Sequence, residues 1–212
     1  MSRTSTFVAA ALGLLICSLA LAHDFWIQPS TFDAKVNELV RVHLHVGHAG
    51  EVDDLKRNPE KIESFTIVGP HGTKDVSGKD GEAPAGFIRP EHAGLHVIGY
   101  RSKPTFIELD AQKFEDYLGE EGMDDIIAKR KERGESAKPG REMYSRCAKS
   151  LLMVGDAAPV EADRTLGFRL ELVALKFPAA LKPGEDLPVQ LRFDGKPIEG
   201  VLVQLKNPHN TS

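Results

Sequence analysis

The strict alternation of apolar and polar side chains over residues 39–46 constrains the fold more than any other feature of the chain. One side carries four apolar residues, namely Val40, Val42, Leu44 and Val46. The other side carries polar residues, among them His43 and His45. Because successive side chains along a strand point to opposite faces, this period of two predicts a half-buried β-strand.

Further runs of this kind recur along the chain, and Gly-Pro or Asp-Gly turn pairs lie between several of them. They span residues 64–68, 94–101, 105–109, 166–174, 187–193 and 200–205. The sequence is 41% hydrophobic, a level at which ordinary globular domains bury a core. Short strands at this spacing predict a mainly β protein built as an immunoglobulin-like β-sandwich.

The middle of the chain departs from this pattern, because residues 110–134 show helical spacing. Asp110 can cap a first helix, and Gly134 can end a second one. The basic run at residues 129–133 is expected to be a solvated face. These patterns divide the chain into a signal peptide (1–22), an N-terminal β-sandwich domain (23–109), a short helical insertion with a linker (110–150) and a second β region (151–212).

The second β region offers only about three strands before a polar tail at residues 206–212. So small a sheet buries too little apolar surface to be stable by itself. Two alternatives follow: either this region packs on the first sheet, or the chain ends before its domain does and the region is truncated.

The first 22 residues carry the features of a cleaved export signal. Arg3 precedes a short apolar stretch, and residues 20–22, Ala-Leu-Ala, match the small-x-small pattern of a signal-peptidase site. No later run reaches the roughly 18 apolar residues of a membrane span. The mature protein is therefore expected to be soluble and periplasmic. Cleavage also removes Cys17, so Cys147 is left as a single cysteine and is expected to be a small buried residue.

The charge balance argues against nucleic acid as a partner. The chain has 27 Lys and Arg against 31 Asp and Glu, a formal net charge of −4. Binding to DNA or RNA needs a basic surface that neutralises phosphates, and the sequence has no polybasic patch. It also lacks Gly-x-Ser-x-Gly, His-Glu-x-x-His and phosphate-binding glycine loops, so we do not expect an enzyme.

His23 is the first candidate for chemistry, because cleavage after Ala22 makes it the amino terminus. A terminal histidine offers its amine and its ring Nδ1 as a chelating pair, and a second imidazole completes a set of nitrogens that suits Ni(II) or Cu(II). Before cleavage that nitrogen is an amide, so export would create the site. The alternative is that His23 marks only the cleavage position at a frayed end. Against that, Phe25 and Trp26 follow as an apolar anchor.

The second ligand is expected among the other histidines. His48 is the first choice, because it follows Gly47 at the end of the predicted strand. His45, on the strand face that also carries His43, and His96 come next; for His96 the alternative is a satisfied core or surface residue. The remaining candidates are Asp24 as a carboxylate and His71, His92 and His209, which are expected in loops or in the tail.

Several segments together resemble a known family. They are His-Asp-Phe-Trp-Ile-Gln-Pro directly after the signal peptide, Val-Gly-His at residues 46–48, and the segments 99–102, 114–123, 141–149 and 191–197. The chain is similar to the exported bacterial family described as the nickel-uptake, substrate-specific region, otherwise a domain of unknown function. The resemblance implies metal binding through His23. Arg141, Tyr144, Arg146 and Lys149, from the most recognisable segment, are expected to make salt bridges and hydrogen bonds between domains.

These observations predict a periplasmic protein that binds Ni²⁺ or Co²⁺, with Cu²⁺ as an alternative, and presents it to an inner-membrane metal transporter. Two other functions stay open. A copper-dependent oxidative enzyme could use the same terminal chelate, and an immunoglobulin-like binding module would need no metal at all.

Overall fold

The computed structural model describes residues 24–48, 51–156 and 163–205. The predicted signal peptide and the polar tail lie outside these ranges. Within them the chain is mainly β, with fourteen strands and two α-helices, and the prediction of a β-sandwich with a short helical insertion is confirmed. The strands are β1 (Asp24–Pro29), β2 (Asp33–Ala34), β3 (Val40–His48), β4 (Glu51–Asp54), β5 (Ile62–Gly69), β6 (Gly72–Asp75), β7 (Gly86–Ile88), β8 (Gly94–Ser102), β9 (Thr105–Leu109), β10 (Gly140–Tyr144), β11 (Cys147–Val154), β12 (Leu170–Ala174), β13 (Val189–Phe193) and β14 (Lys196–Pro197).

The first sheet is built around β3, which pairs antiparallel with β1, β4 and β7. The alternation that predicted this strand sets its orientation. Val40 and Val42 are completely buried and Leu44 is nearly so, whereas His43 and His45 are only partly covered. The apolar face of β3 therefore lies in the core, and its histidine face lies on the outer side of the sheet.

The second sheet has five strands in the order β2-β11-β8-β5-β6. Its inner face and the inner face of the first sheet contribute to one hydrophobic cluster. The cluster members from the second sheet include Phe65, Ile67, Ile98, Tyr100, Leu152 and Val154. Two sheets that share one apolar layer form the sandwich.

The outer face of the second sheet is covered by the segment that leads into β12. A Cβ on Gly99 would lie 2.4 Å from Cδ1 of Leu166 and 3.1 Å from Cζ of Phe168, so these side chains rest directly on β8. The second β region therefore packs on the sandwich. β11 extends across residue 150 and pairs with β8 over its whole length. The division into domains at that residue stays a prediction.

A buried ion cluster fastens the second β region to the sandwich. Nζ of Lys149, on β11, lies 2.7 Å from Asp163 and 3.0 Å from Glu171. The Glu171 carboxylate, on β12, is almost fully buried and also accepts hydrogen bonds from the backbone N–H groups of residues 166–168. The predicted role of Lys149 in joining the two parts of the chain therefore agrees with its contacts.

The helical insertion contains α1 (Ala111–Glu120) and α2 (Asp124–Glu132). The Asp110 side chain accepts a hydrogen bond from the Lys113 backbone N–H, as its predicted capping role requires. The basic run differs from expectation at one position. Arg130 is buried, with Nε 2.8 Å from Glu115 and its guanidinium 4.8 Å from the centroid of the Phe114 ring. This pairing offsets the desolvation that a lone buried cation would suffer.

Two local predictions differ from the structure. The predicted linker ends in a strand, because β10 pairs antiparallel with β9. Residues 200–205, expected as a strand, have no strand pairing and expose Val201, Val203 and Leu205. Among the described residues the C-terminal sheet consists of β12, β13 and β14, and the Asp194-Gly195 pair forms the predicted tight turn at positive φ. Neither helix has the length and apolarity to cross a membrane, as judged over the residues that the structure describes.

We predict that Lys149→Met lowers the free energy of unfolding by about 3–5 kcal/mol, because it leaves two buried carboxylates without their cation. Denaturation in guanidinium chloride measures this change. The matched control is Lys129→Met, which removes an exposed pair with Asp125 and is expected to lower stability by less than about 0.5 kcal/mol. Equal effects of the two substitutions would contradict the role assigned to the buried cluster.

Candidate metal centre

Three potential metal ligands converge on the outer face of the first sheet. His43 and His45 alternate along β3, so both project from the same face. The antiparallel register of β3 and β4 sets Asp54 opposite His45. Because directly opposed residues project from the same face of a sheet, the carboxylate of Asp54 lies beside both imidazoles. We refer to these three residues as the His-His-Asp cluster.

The distances within the cluster suit a single ion. Nδ1 of His43 lies 2.7 Å from Oδ2 of Asp54, and Nε2 of His45 lies 3.9 Å from Oδ1. One ligand atom from each residue can be chosen so that all three lie within 4.8 Å of one another. Ligands bound at about 2.1 Å in a tetrahedral site are separated by about 3.4 Å. Small side-chain rotations would therefore bring the three atoms to coordination distance.

Trp26 closes one side of the cluster. Its position in β1 is opposite His45, and the two rings meet edge to face with centroids 5.3 Å apart. Burial lowers the pKa of His45, which outweighs the opposing effect of the Asp54 carboxylate, while nearby His43 also lowers it. A lowered pKa keeps the imidazole neutral at neutral pH, and a neutral imidazole has the lone pair that a metal needs.

The sequence singled out part of this cluster. It named His45 as a candidate and placed His43 on the same strand face, but it did not point to Asp54. The signal that would have found Asp54 is the short connection between β3 and β4. Only two residues separate the end of β3 at His48 from the start of β4 at Glu51, and counting outward from that connection pairs position 45 with position 54.

Two of the predicted ligands lie wholly or partly outside the residues that the structure describes. His23 lies outside the described residues. His48 is the last residue of β3, where its backbone pairs with Glu51, and the placement of its side chain also lies outside the described part of the chain. Their roles as ligands stay predictions.

His96 is not brought to the His-His-Asp cluster. It lies on β8 in the second sheet, where it is 5% exposed and its Nδ1 is 3.1 Å from the carbonyl oxygen of Gly94. Its ring rests on Gly69, since a Cβ there would lie 2.5 Å from Nε2. Burial lowers the pKa of His96. These contacts describe a histidine that packs in the sheet, which is the alternative that the sequence left open.

The fold and the cluster together define a class of protein: a two-sheet β-sandwich that carries a His-His-Asp cluster on the outer face of one sheet. Comparison with known families is more specific. Residues 20–210 match the family model DUF4198, a domain of unknown function, and the chain belongs to that family. No curated protein and no solved structure matches the chain. The family description names neither nickel nor any other ligand.

We predict that Gly47→Ala disturbs the cluster without touching any of its three residues. A Cβ at this position would lie 2.0 Å from the carbonyl oxygen of Glu51, so β4 must move away from β3 and take Asp54 with it. The expected loss of stability is about 1–3 kcal/mol, and faster amide hydrogen exchange in β4 should accompany it. Gly119→Ala is the control, because it has open space in α1 and should gain up to about 1 kcal/mol. Unchanged exchange in β4 would argue against this geometry.

Proposed function

We propose that the protein is an exported binding protein for a divalent transition metal, which it holds at His43, His45 and Asp54. The observation that carries this proposal is the convergence of two imidazoles and one carboxylate, with ligand atoms within 4.8 Å, on an accessible face. Imidazole and carboxylate donors suit Ni²⁺, Co²⁺ and Cu²⁺. Copper is expected to bind most tightly in solution, because divalent sites of this kind follow the Irving–Williams order.

The amino terminus of the mature chain is the proposed fourth contributor. β1 begins at Asp24, which pairs with Gly47, two positions along β3 from His45. His23 directly precedes Asp24 in the chain, so its free amine and imidazole would lie near the cluster. Cleavage of the signal peptide after Ala22 would create this amine. Its reference pKa of about 7.7–8.0 makes its deprotonation by a metal far easier than that of a lysine.

The physiological role that we propose follows the resemblance described above. In this proposal the metal, Ni²⁺ or Co²⁺, is cargo that the periplasmic protein presents to an inner-membrane uptake system. A site with open coordination positions would favour such a transfer, because a transporter ligand can enter before the protein ligands leave. The partly exposed side chains of His43, His45 and Asp54 are consistent with access from solvent.

The single tryptophan of the chain provides a direct test. Paramagnetic Cu²⁺ or Ni²⁺ bound at the cluster should quench the fluorescence of Trp26, whose ring is 5.3 Å from that of His45. We predict that His43→Ala and His45→Ala each weaken binding of both ions, measured by this quenching and by calorimetry, by at least about tenfold. The control is His71→Ala, which removes an exposed histidine whose ring contacts that of His92 and not the cluster. Equal affinity of all three variants would refute the proposed site.

A second experiment tests separately whether the terminal amine is a ligand. Mature protein that begins at His23 is compared with a version that carries one extra residue before it. If the amine is a ligand, the extension should weaken Ni²⁺ and Cu²⁺ binding by at least about tenfold, since it converts the amine into an amide. If the extension has no effect while His45→Ala does, the metal is held by the cluster alone. Mass spectrometry of the exported protein should find residue 23 at its start.

A further inference from the structure

We propose that a cleft between the sandwich and the C-terminal sheet binds a small organic anion, a carboxylate with an apolar body. The cleft has a volume of about 500 Å³, within the range of small-molecule sites. Its lining includes Phe25, Arg146 and Cys147 on the sandwich side and Arg169, Leu170 and Phe193 on the C-terminal side. The proposal is independent of the metal site.

Arg146 is the central residue, because its guanidinium has no anionic partner in the described part of the chain. It lies over the ring of Phe25 at 5.6 Å and over that of Tyr144 at 5.2 Å. Two other partly buried arginines meet carboxylates: Arg57 lies 3.3 Å from Asp80, and Arg101 lies 3.0 Å from Glu63. The sequence predicts such a bridge for Arg146, but the described residues supply no carboxylate to it.

Stacking on aromatic rings leaves the hydrogen-bonding capacity of a guanidinium unused. The five N–H groups of arginine lie in the plane of the guanidinium and form a fork that matches the two oxygens of a carboxylate. No hydrogen bond from the Arg146 side chain to the described residues competes for them. The aromatic contacts therefore hold the cation in place while its donors stay free for a ligand.

The backbone fixes the position of Arg146. Its N–H donates to Oγ of Ser102 at 2.8 Å, and its carbonyl oxygen accepts from the Ser102 N–H at 2.9 Å. Ser102 is itself buried at the end of β8. Two hydrogen bonds to a buried residue make the arginine part of a pre-formed wall, and a pre-formed site pays less ordering entropy when a ligand binds.

The opposite wall supplies a second cation and apolar surface. Arg169 lies over the ring of Phe193 at 5.1 Å and pairs with Asp194 at 3.6 Å, in an exposed and therefore weak ion pair. Leu170 and Phe193 are directly opposed across β12 and β13, and both side chains are partly exposed. With Phe25 they form apolar walls that a ligand's hydrocarbon or aromatic portion can cover.

The charge of the cleft selects an anion. Among its described lining residues two are arginines and none is a carboxylate. Cys147 adds no negative charge, because burial raises the pKa of its thiol. An organic carboxylate fits this combination better than inorganic phosphate does, because phosphate would leave the apolar walls in contact with water.

Titration of metal-free mature protein with benzoate, hexanoate, benzamide and inorganic phosphate tests the proposal, with calorimetry and backbone chemical shifts as measurements. We expect both carboxylates to bind and to shift the amides of Cys147 and Leu170. Arg146→Gln should weaken binding at least tenfold, and Arg146→Lys should weaken it less, because it keeps the charge but loses the fork. Arg141→Gln is the control, since Arg141 is exposed on β10 beside Glu108 and should not matter.

The other outcomes would overturn the proposal. These are equal binding of neutral benzamide, tighter binding of phosphate than of the carboxylates, and no binding of either carboxylate up to about 10 mM. Equal loss of affinity in Arg141→Gln would also do so. If Arg146→Gln fails to fold, the chemical shifts of the unmodified protein and the Arg146→Lys variant still decide, because carboxylate binding away from Cys147 and Leu170 contradicts the site.

Discussion

The burial of one face of β3 determines where the chemistry of this protein can lie. Val40, Val42 and Leu44 each bury their side chains in the core, and each such burial stabilises the fold by roughly 1.5–3 kcal/mol. A shift of β3 by one residue would exchange its two faces and bury His43 and His45 in their place. That register loses the apolar burial and leaves imidazoles without partners in the core. The hydrophobic face therefore holds the two histidines on the outer surface, where β4 supplies Asp54.

A second constraint acts at the other side of the sandwich. Lys149 bridges Asp163 and Glu171 in a buried cluster, so β12 is held against β11 by charge as well as by the packing of Leu166 and Phe168 on β8. Buried ion clusters add little stability compared with apolar packing, but breaking one is strongly destabilising. The cluster thereby fixes one position of the C-terminal sheet. That position sets Arg169 and Leu170 across from Arg146 and Cys147, and the cleft is the space between them.

The sequence predicted those elements whose pattern is local. Period-two alternation found β3, β5, β8 and β9, the cap at Asp110 found α1, and Asp194-Gly195 found the turn before β14. It did not find the short strands β2, β4, β6 and β7, because two to four residues are too few to show a pattern of their own. β2 and β7 pair with strands distant in the chain, whereas β4 and β6 pair with the strand directly before them. Because Asp54 lies on one of these short strands, the sequence predicted His45 but not Asp54. It also predicted a salt bridge for Arg146, where the structure has two aromatic rings. Contacts across sheets depend on register, and a single sequence does not state register.

Strand β1 connects the two proposed sites, because its successive side chains face opposite ways. Phe25 turns toward the inner side, where it contacts Tyr100 and lies beneath the guanidinium of Arg146. Trp26 turns outward and meets His45. One short strand thus contributes to the outer cluster through one residue and to the wall of the cleft through the next. The two sites differ in whether they need the amino terminus that cleavage would create. The cleft uses only residues of the described chain, whereas the complete metal site in our proposal also uses a free amine, which exists only after the peptide bond before His23 is cut. Export processing would therefore complete the metal site and leave the walls of the cleft unchanged.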